Sequence, residues 1–248
     1  RSVHLVAAWK GVTWPEAARL VDEVLGNEPV KTDATKRELT PEEIRERCKK
    51  VVALTKRVRK GDPVDVYLTA RGIGLEEYPL SLGTAHALPY DASSSHPAMV
   101  AVITAPDGKN VSLHRTFLAG AGKLDAADCR KLMPGKLPKG CAVRLKPLGP
   151  SDEVLGVAEG IETALSASAL FGIPVWATLN TSMMRTFVPP AGIREVAIFA
   201  DNDASFAGQN AAYALGAALK PSGFDVTIHV PEISGQDWND VLQRKGRP

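Results

Sequence analysis

The sequence lacks the marks of several common protein classes. Three cysteines occur in 248 residues, Cys48, Cys129 and Cys141, and none forms a Cys-x-x-Cys pair. No zinc site is therefore encoded in this stretch. An odd cysteine count without a secretory signal fits a reducing cytoplasm. No apolar run reaches the roughly 18 residues that a membrane span needs, so no membrane partner is expected. The five histidines show no metal spacing, and Gly160, Gly208 and Gly235 form no phosphate-cradling motif. The chain also lacks a large basic excess. Its formal net charge is +2, so composition alone does not announce nucleic acid.

What is present is a chain long enough for one large or two small domains. Its charge is uneven: Lys49, Lys50, Lys56, Arg57, Arg59 and Lys60 form one basic run, and Arg130, Lys131, Lys136, Lys139, Arg144 and Lys146 another. Such runs are as often solvated faces as binding surfaces. In residues 3–26, apolar positions fall near a helical period, which predicts one or two short helices with Gly26 as a stop. Residues 27–40 read as a polar linker. Thr40-Pro41-Glu42-Glu43 opens a charged helix expected to run to about Lys60, where Gly61-Asp62-Pro63 ends it. Residues 64–150 read as a small α+β subdomain, with strands at 99–104 and 111–117 around the turn Pro106-Asp107-Gly108-Lys109, and another at 141–145.

From residue 151 the pattern changes. Short apolar strands at 154–158, 175–179, 196–200 and 226–230 alternate with helices at 161–171, 206–220 and 238–244. That alternation predicts an α/β fold: a mostly parallel sheet flanked by helices, with chemistry at the carboxyl ends of the strands. Acids stand at those ends. Glu159 follows the first strand; Asp201 and Asp203 follow the third; Asp237 and Asp240 come after the fourth. Each alone is most simply a turn or helix cap. Together they place repelling carboxylates on one edge, and a divalent cation relieves such crowding.

These residues also carry a resemblance. Val157-Ala158-Glu159-Gly160-Ile161-Glu162-Thr163-Ala164 resembles the first motif of the Toprim family. Ile198-Phe199-Ala200-Asp201-Asn202-Asp203 with Gly208 resembles the second, and Gln236-Asp237-Trp238-Asn239-Asp240 the closing motif of its phage and plasmid primase branch. Upstream, 64–75 with Tyr67-Leu68-Thr69-Ala70-Arg71-Gly72-Ile73, and His114-Arg115-Thr116-Phe117-Leu118 with Gly122-Lys123, resemble the basic subdomain of primases. Residues 3–26 resemble the tail of a primase zinc-binding module whose ligands would lie upstream of Arg1.

The resemblance implies a DNA primase core that joins ribonucleotides into short primers on a single-stranded DNA template, with Mg²⁺ (or Mn²⁺) as cofactor and a replicative helicase as a further partner. It implies Glu159, Asp201 and Asp203 as catalytic residues. The metal set would be Asp201, Asp203, Asp237, Glu159 and Asp240. Arg115, Lys123, Arg71 and Arg144 would contact nucleotide or nucleic acid. Two other readings stay open: a Toprim nuclease using the same acids, and a non-catalytic module that binds single strands or recruits a helicase. Trp176 and Trp238 are expected in the core, and His114 half-buried on a strand.

Overall fold

The computed structural model describes residues 2–25 and 39–246. Contacts divide the chain into a small unit that ends at Glu38 and a large unit from Leu39. The small unit is a helical pair, α1 (Ser2–Lys10) and α2 (Trp14–Leu25). The Thr13 backbone N–H donates to the Glu16 carboxylate at 2.9 Å and closes the entry to α2. Two short helices are thus present as the periodicity predicts. Gly26, the expected stop, and residues 27–38 of the expected linker lie outside the described residues.

The large unit begins with α3 (Pro41–Ala53). Thr40 and Glu43 form its reciprocal capping box, and Pro41 takes the first turn, where a missing N–H costs nothing. The helix ends at Leu54, short of the expected Lys60. Lys56–Arg57 instead form an edge strand, β1, that pairs with Thr84 and Gly83. Next come α4 (Pro63–Ala70), β2 (Leu82–Pro89), β3 (Ser95–Thr104), β4 (Asn110–Ala119), β5 (Gly122–Lys123) and β6 (Arg130–Leu132). The strands build an antiparallel sheet in the order β1-β2-β3-β4-β5, with β6 also paired to β4.

The second sheet is parallel throughout: β7 (Val154–Ala158), β8 (Val175–Ala177), β9 (Glu195–Phe199) and β10 (Asp225–His229), in the order β10-β9-β7-β8. Between them run α5 (Ile161–Phe171), α6 (Thr181–Arg185) and α7 (Ala207–Leu219), and α8 (Trp238–Lys245) closes the unit. The expected 141–145 strand is reduced to single bridges. Ala142 pairs with Thr104 and Val143 with Ala177, and these bridges stitch the antiparallel sheet to the parallel one.

One core joins the two sheets. Tyr67, Leu68, Met99, Ile103 and Leu118 of the antiparallel half pack with Ala158, Ile161, Phe199 and Trp238 of the parallel half. A second core lies on the other face of the parallel sheet, around Leu155, Val157, Ile198 and Leu215. A third lies under α3, where Val51 meets Val100, Leu113 and Phe117. Burial on both faces explains why β7 and β9 read as continuous apolar runs. Gly156 allows the close packing at the centre. A Cβ there would stand 2.5 Å from Val175 Cγ2 and 2.9 Å from Phe199 Cε2. Trp176 and Trp238 are buried, and His114 is more deeply buried than a half-buried strand position. Among the described residues, no helix is long and apolar enough to cross a membrane.

Candidate active site

Strands β7 and β9 are neighbours in the sheet, yet α5 and β8 intervene between them in sequence, so connections leave in opposite directions at this point. That is the switch point where parallel sheets open a crevice at their carboxyl ends. The register pairs Ala158 with Phe199, so Glu159, the residue after β7, emerges beside the loop that begins at Ala200. Asp201 lies on that loop.

Asn202 sets the loop's shape. Its amide donates to the Pro231 carbonyl at 2.8 Å, and its side-chain oxygen accepts from Gln209 Nε2 at 3.2 Å. Its backbone N–H reaches the Gln236 carbonyl at 2.9 Å. These bonds tie the loop after β9 to the segment leading into α8, and so bring Asp237 toward Asp201. Gly208 lies directly against this loop: a Cβ there would make ordinary contacts, 3.4 Å from the Asp201 carbonyl and 3.5 Å from Asp203 Oδ2.

The electrostatics mark Asp201 as the centre. Burial is the largest influence on its carboxyl, followed by the charges of Asp237, Glu159 and Asp203; a bond from Thr163 opposes them, and the pKa is pushed up to about 7. Its Oδ1 atom is buried without a hydrogen-bond partner. Burial also raises Glu159, against the pull of Arg130. Asp203 differs. It accepts from Ser205 and from the Gly208 N–H, and these bonds hold its carboxyl below the usual range. Asp237 caps α8, accepting from the Asp240 N–H at 2.8 Å, while Asp240 accepts from the Asp237 N–H at 3.1 Å in return. Asp237 Oδ2 also faces Arg71 Nη2 at 3.7 Å.

Behind this edge, Phe199 stacks on His229 with ring centroids 5.0 Å apart and meets Trp238 edge-on at 5.6 Å. Trp238 follows Asp237 directly, so the aromatic cluster anchors the base of that acid; such pairs contribute about 0.5–1.5 kcal/mol each beyond burial.

The expected basic residues separate into two groups. Arg71 and Lys123 lie at the seam between the sheets. Lys123 Nζ sits 3.1 Å from Glu162. Arg71 ends α4, and its carbonyl accepts from the buried Asn239 at 2.8 Å. The other two are placed elsewhere. Arg115 shares its sheet face with Leu113 and Phe117 and lies toward α3, with Nη2 on the Leu132 carbonyl at 3.2 Å. Arg144 holds the Ala105 carbonyl at 2.8 Å and lies over the Trp176 ring.

Two residues went unsingled in the sequence. Glu162 is a buried carboxylate between Tyr67 and Lys123. Arg130 is exposed, and its charge acts on Glu159. A second acid three residues after Glu159, at the mouth of an apolar helix, was the available sign of the first; the second was hidden within a basic run.

The acids fit a hard divalent cation. All candidate donors are carboxylate oxygens, the most buried one carries an unpartnered atom, and their mutual repulsion is what a cation relieves. Among the described residues no three carboxylates, imidazoles or thiols already stand at ligand spacing around one point.

Comparison with known proteins agrees with this architecture. Residues 154–248 match the Toprim domain. Residues 42–145 match a domain of unknown function (DUF7146). No curated protein matches the chain. Among solved structures, the zinc-binding and RNA polymerase domains of Aquifex aeolicus primase are 15% identical with a TM-score of 0.50, covering 98% of this chain and 67% of that one. The DnaG catalytic core is 14% identical with a TM-score of 0.50, covering 84% and 76%. The primase fragment of the bacteriophage T7 primase-helicase is 14% identical with a TM-score of 0.48, covering 77% and 75%. Residues 154–248 are thus, by class, a Toprim domain. The chain's antiparallel sheet followed by the parallel Toprim sheet is the fold of a primase catalytic core.

Proposed function

We propose that this chain is a DNA primase core, which joins ribonucleotides into short primers on single-stranded DNA by Mg²⁺- or Mn²⁺-dependent nucleotidyl transfer. The observation that carries the reading is the buried, unpartnered oxygen of Asp201 among the charges of Asp237, Glu159 and Asp203, at the switch point of a parallel sheet. The antiparallel half ahead of it supports primer synthesis over simple hydrolysis, because its sheet and the helix α4 add the cationic Lys123 and Arg71 at the seam.

Asp201 and Asp203 would hold the cation, with Glu159 and Asp237 beside them, and Asp240 joined to Asp237 through the reciprocal helix cap. The cation would supply charge neutralisation at the α-phosphate and its leaving pyrophosphate. The chain's own residues have distinct tasks. Glu159, kept basic by burial, is suited to accept the proton of the attacking 3′-hydroxyl. Asp203, fixed by Ser205 and Gly208, holds one oxygen in a set direction. Arg71 and Lys123 offer positive charge to phosphate from the antiparallel half. Phosphate contacts of this type position a strand without reading its sequence. Rate would come from orientation and from charge placed before the reaction starts.

The test is primer synthesis from the four ribonucleotides with Mg²⁺ on single-stranded DNA. The native chain is expected to yield short labelled RNA, and Asp201→Asn and Asp203→Asn to yield none. Strand cleavage without incorporation would replace this reading with the nuclease. Binding to single strands that is indifferent to both substitutions, with no product from the native chain, would leave only a binding module.

A further inference from the structure

Glu162 stands on the first turn of α5, three residues beyond Glu159. Its carboxylate is buried, yet both of its partners come from the other half of the molecule. The Tyr67 hydroxyl on α4, 95 residues away in sequence, donates to Oε1 at 2.6 Å. The Lys123 ammonium on β5 reaches the same oxygen at 3.1 Å. The other oxygen, Oε2, lies 3.7 Å from where a Cβ of Gly160 would stand, against the turn that carries Glu159. A buried carboxylate without partners would be costly, and one with two strong donors is a fixed point. Burial pushes the Glu162 carboxyl up, and Lys123 and then Tyr67 outweigh it.

Lys123 is the most exposed member of the trio. A lysine side chain has four rotatable bonds, and this one keeps about a third of its surface open, with side-chain exposure of 32%. On a two-residue strand at the end of the antiparallel sheet it would otherwise sweep a wide arc. Glu162 restricts it to the mouth of α5, next to the loop of Glu159. His114, buried on β4, also feels the charges of both Glu162 and Lys123, and burial lowers its pKa to about 4. It therefore stays neutral near pH 7 and adds no competing charge to the trio.

We infer that Glu162 is a positioning residue, which fixes Lys123 and Tyr67 so that the Lys123 ammonium meets the phosphates of a nucleotide bound at the carboxylate edge. Glu162 itself touches no substrate; it acts through Lys123. The inference rests on the primase reading for its substrate class, a nucleoside triphosphate. It goes beyond that reading in assigning a role to a side chain that holds no metal and moves no proton.

A double-mutant cycle on nucleotide affinity tests it. ATP with Mg²⁺ is titrated calorimetrically into the native chain, Glu162→Gln, Lys123→Met and the double variant, with melting temperature recorded for each. Glutamine keeps an oxygen for the Tyr67 hydroxyl and removes only the charge that holds Lys123. Each single variant is expected to weaken ATP about tenfold, the scale of one charged hydrogen bond. The double variant should bind no worse than Lys123→Met alone, because Glu162 has nothing left to position. Losses that multiply to about a hundredfold would overturn the inference. So would a Glu162→Gln variant that melts lower but binds ATP like the native chain, since Glu162 would then be only a strut. Failure of the native chain to bind ATP would overturn it as well. Because binding is read without turnover, a chain that shows the coupling but makes no primers would overturn the primase reading and leave this inference standing.

Discussion

Replacing Asp201 by Asn should stabilise the metal-free protein at pH 8 while abolishing any reaction the site performs. In the folded state burial, then Asp237, Glu159 and Asp203, push the Asp201 carboxyl from 3.8 to about 7. The folded chain therefore binds this proton more tightly than the unfolded chain does. Between about pH 4 and pH 7 the native state holds more protons, so stability falls as pH rises through that window. The difference is about three pH units, which corresponds to about 4 kcal/mol once the carboxyl is fully ionised. Asn at this position carries no charge to bury. Its own unsatisfied amide atom returns part of the gain, on the order of 1–2 kcal/mol. The net expectation at pH 8 is about 2–3 kcal/mol, or roughly 4–12 °C in melting temperature for a chain of this size. At pH 4.5 Asp201 is protonated in the folded native chain, and the advantage should vanish. Melting curves in a chelating buffer at pH 8 and pH 4.5 check both statements. A variant that melts at or below the native temperature at pH 8 would refute the reasoning, as would a gap of equal size at both pH values.

Other outcomes follow from the same geometry. Mg²⁺ at millimolar concentration should raise the melting temperature of the native chain at pH 8 and leave Asp201→Asn nearly unmoved, because the variant lacks the most buried of the carboxylates that would hold the cation. Asn239→Ala should cost about 2–3 kcal/mol in denaturant unfolding, since its buried amide binds the Arg71 carbonyl and Ser166 and its oxygen accepts from Gln243. Phe199→Ala should cost about 3–5 kcal/mol by the same measurement, because its ring is fully buried and anchors Trp238 and His229. Thr40→Ala should cost about 1 kcal/mol by opening the capping box of α3, with no change in nucleotide affinity.

The parallel half was legible because its signals are local and agree with one another. The strand at 154–158 and the helix at 161–171 stand where an apolar run, a turn glycine and an alanine-rich period place them. The acids were legible as strand-end residues because a parallel sheet puts every such residue on one edge. The antiparallel half was harder. The helix from Pro41 was expected to reach Lys60, since a run of lysine, arginine and valine suits a helix by propensity; pairing with β2 turned Lys56–Arg57 into an edge strand, where basic side chains discourage further pairing. Strand β2 contains Gly83 and a bulge near Ala85, so its alternation is broken and it went unread. Helix α4 is eight residues long and buried on several sides, which leaves no clear stripe.

The basic residues show the limit of reading charge from sequence. Arg115 and Lys123 lie within one segment, yet strand parity turns Arg115 toward α3, and only Lys123 reaches the seam. Arg144 is committed to the Ala105 carbonyl and the Trp176 ring. Glu162 could not be told from an ordinary first-turn acid, because both of its partners arrive from the antiparallel half. Its burial, and not its identity, sets it apart.

The central claim is that carboxylates from separate loops share one divalent cation at the switch point of the parallel sheet. Titration with Mn²⁺ at pH 8, followed by electron paramagnetic resonance of the free ion, tests it most directly. Saturable binding by the native chain, lost in both Asp201→Asn and Asp203→Asn and displaced by excess Mg²⁺, is the predicted result. Equal Mn²⁺ binding by the native chain and the two variants would contradict the claim.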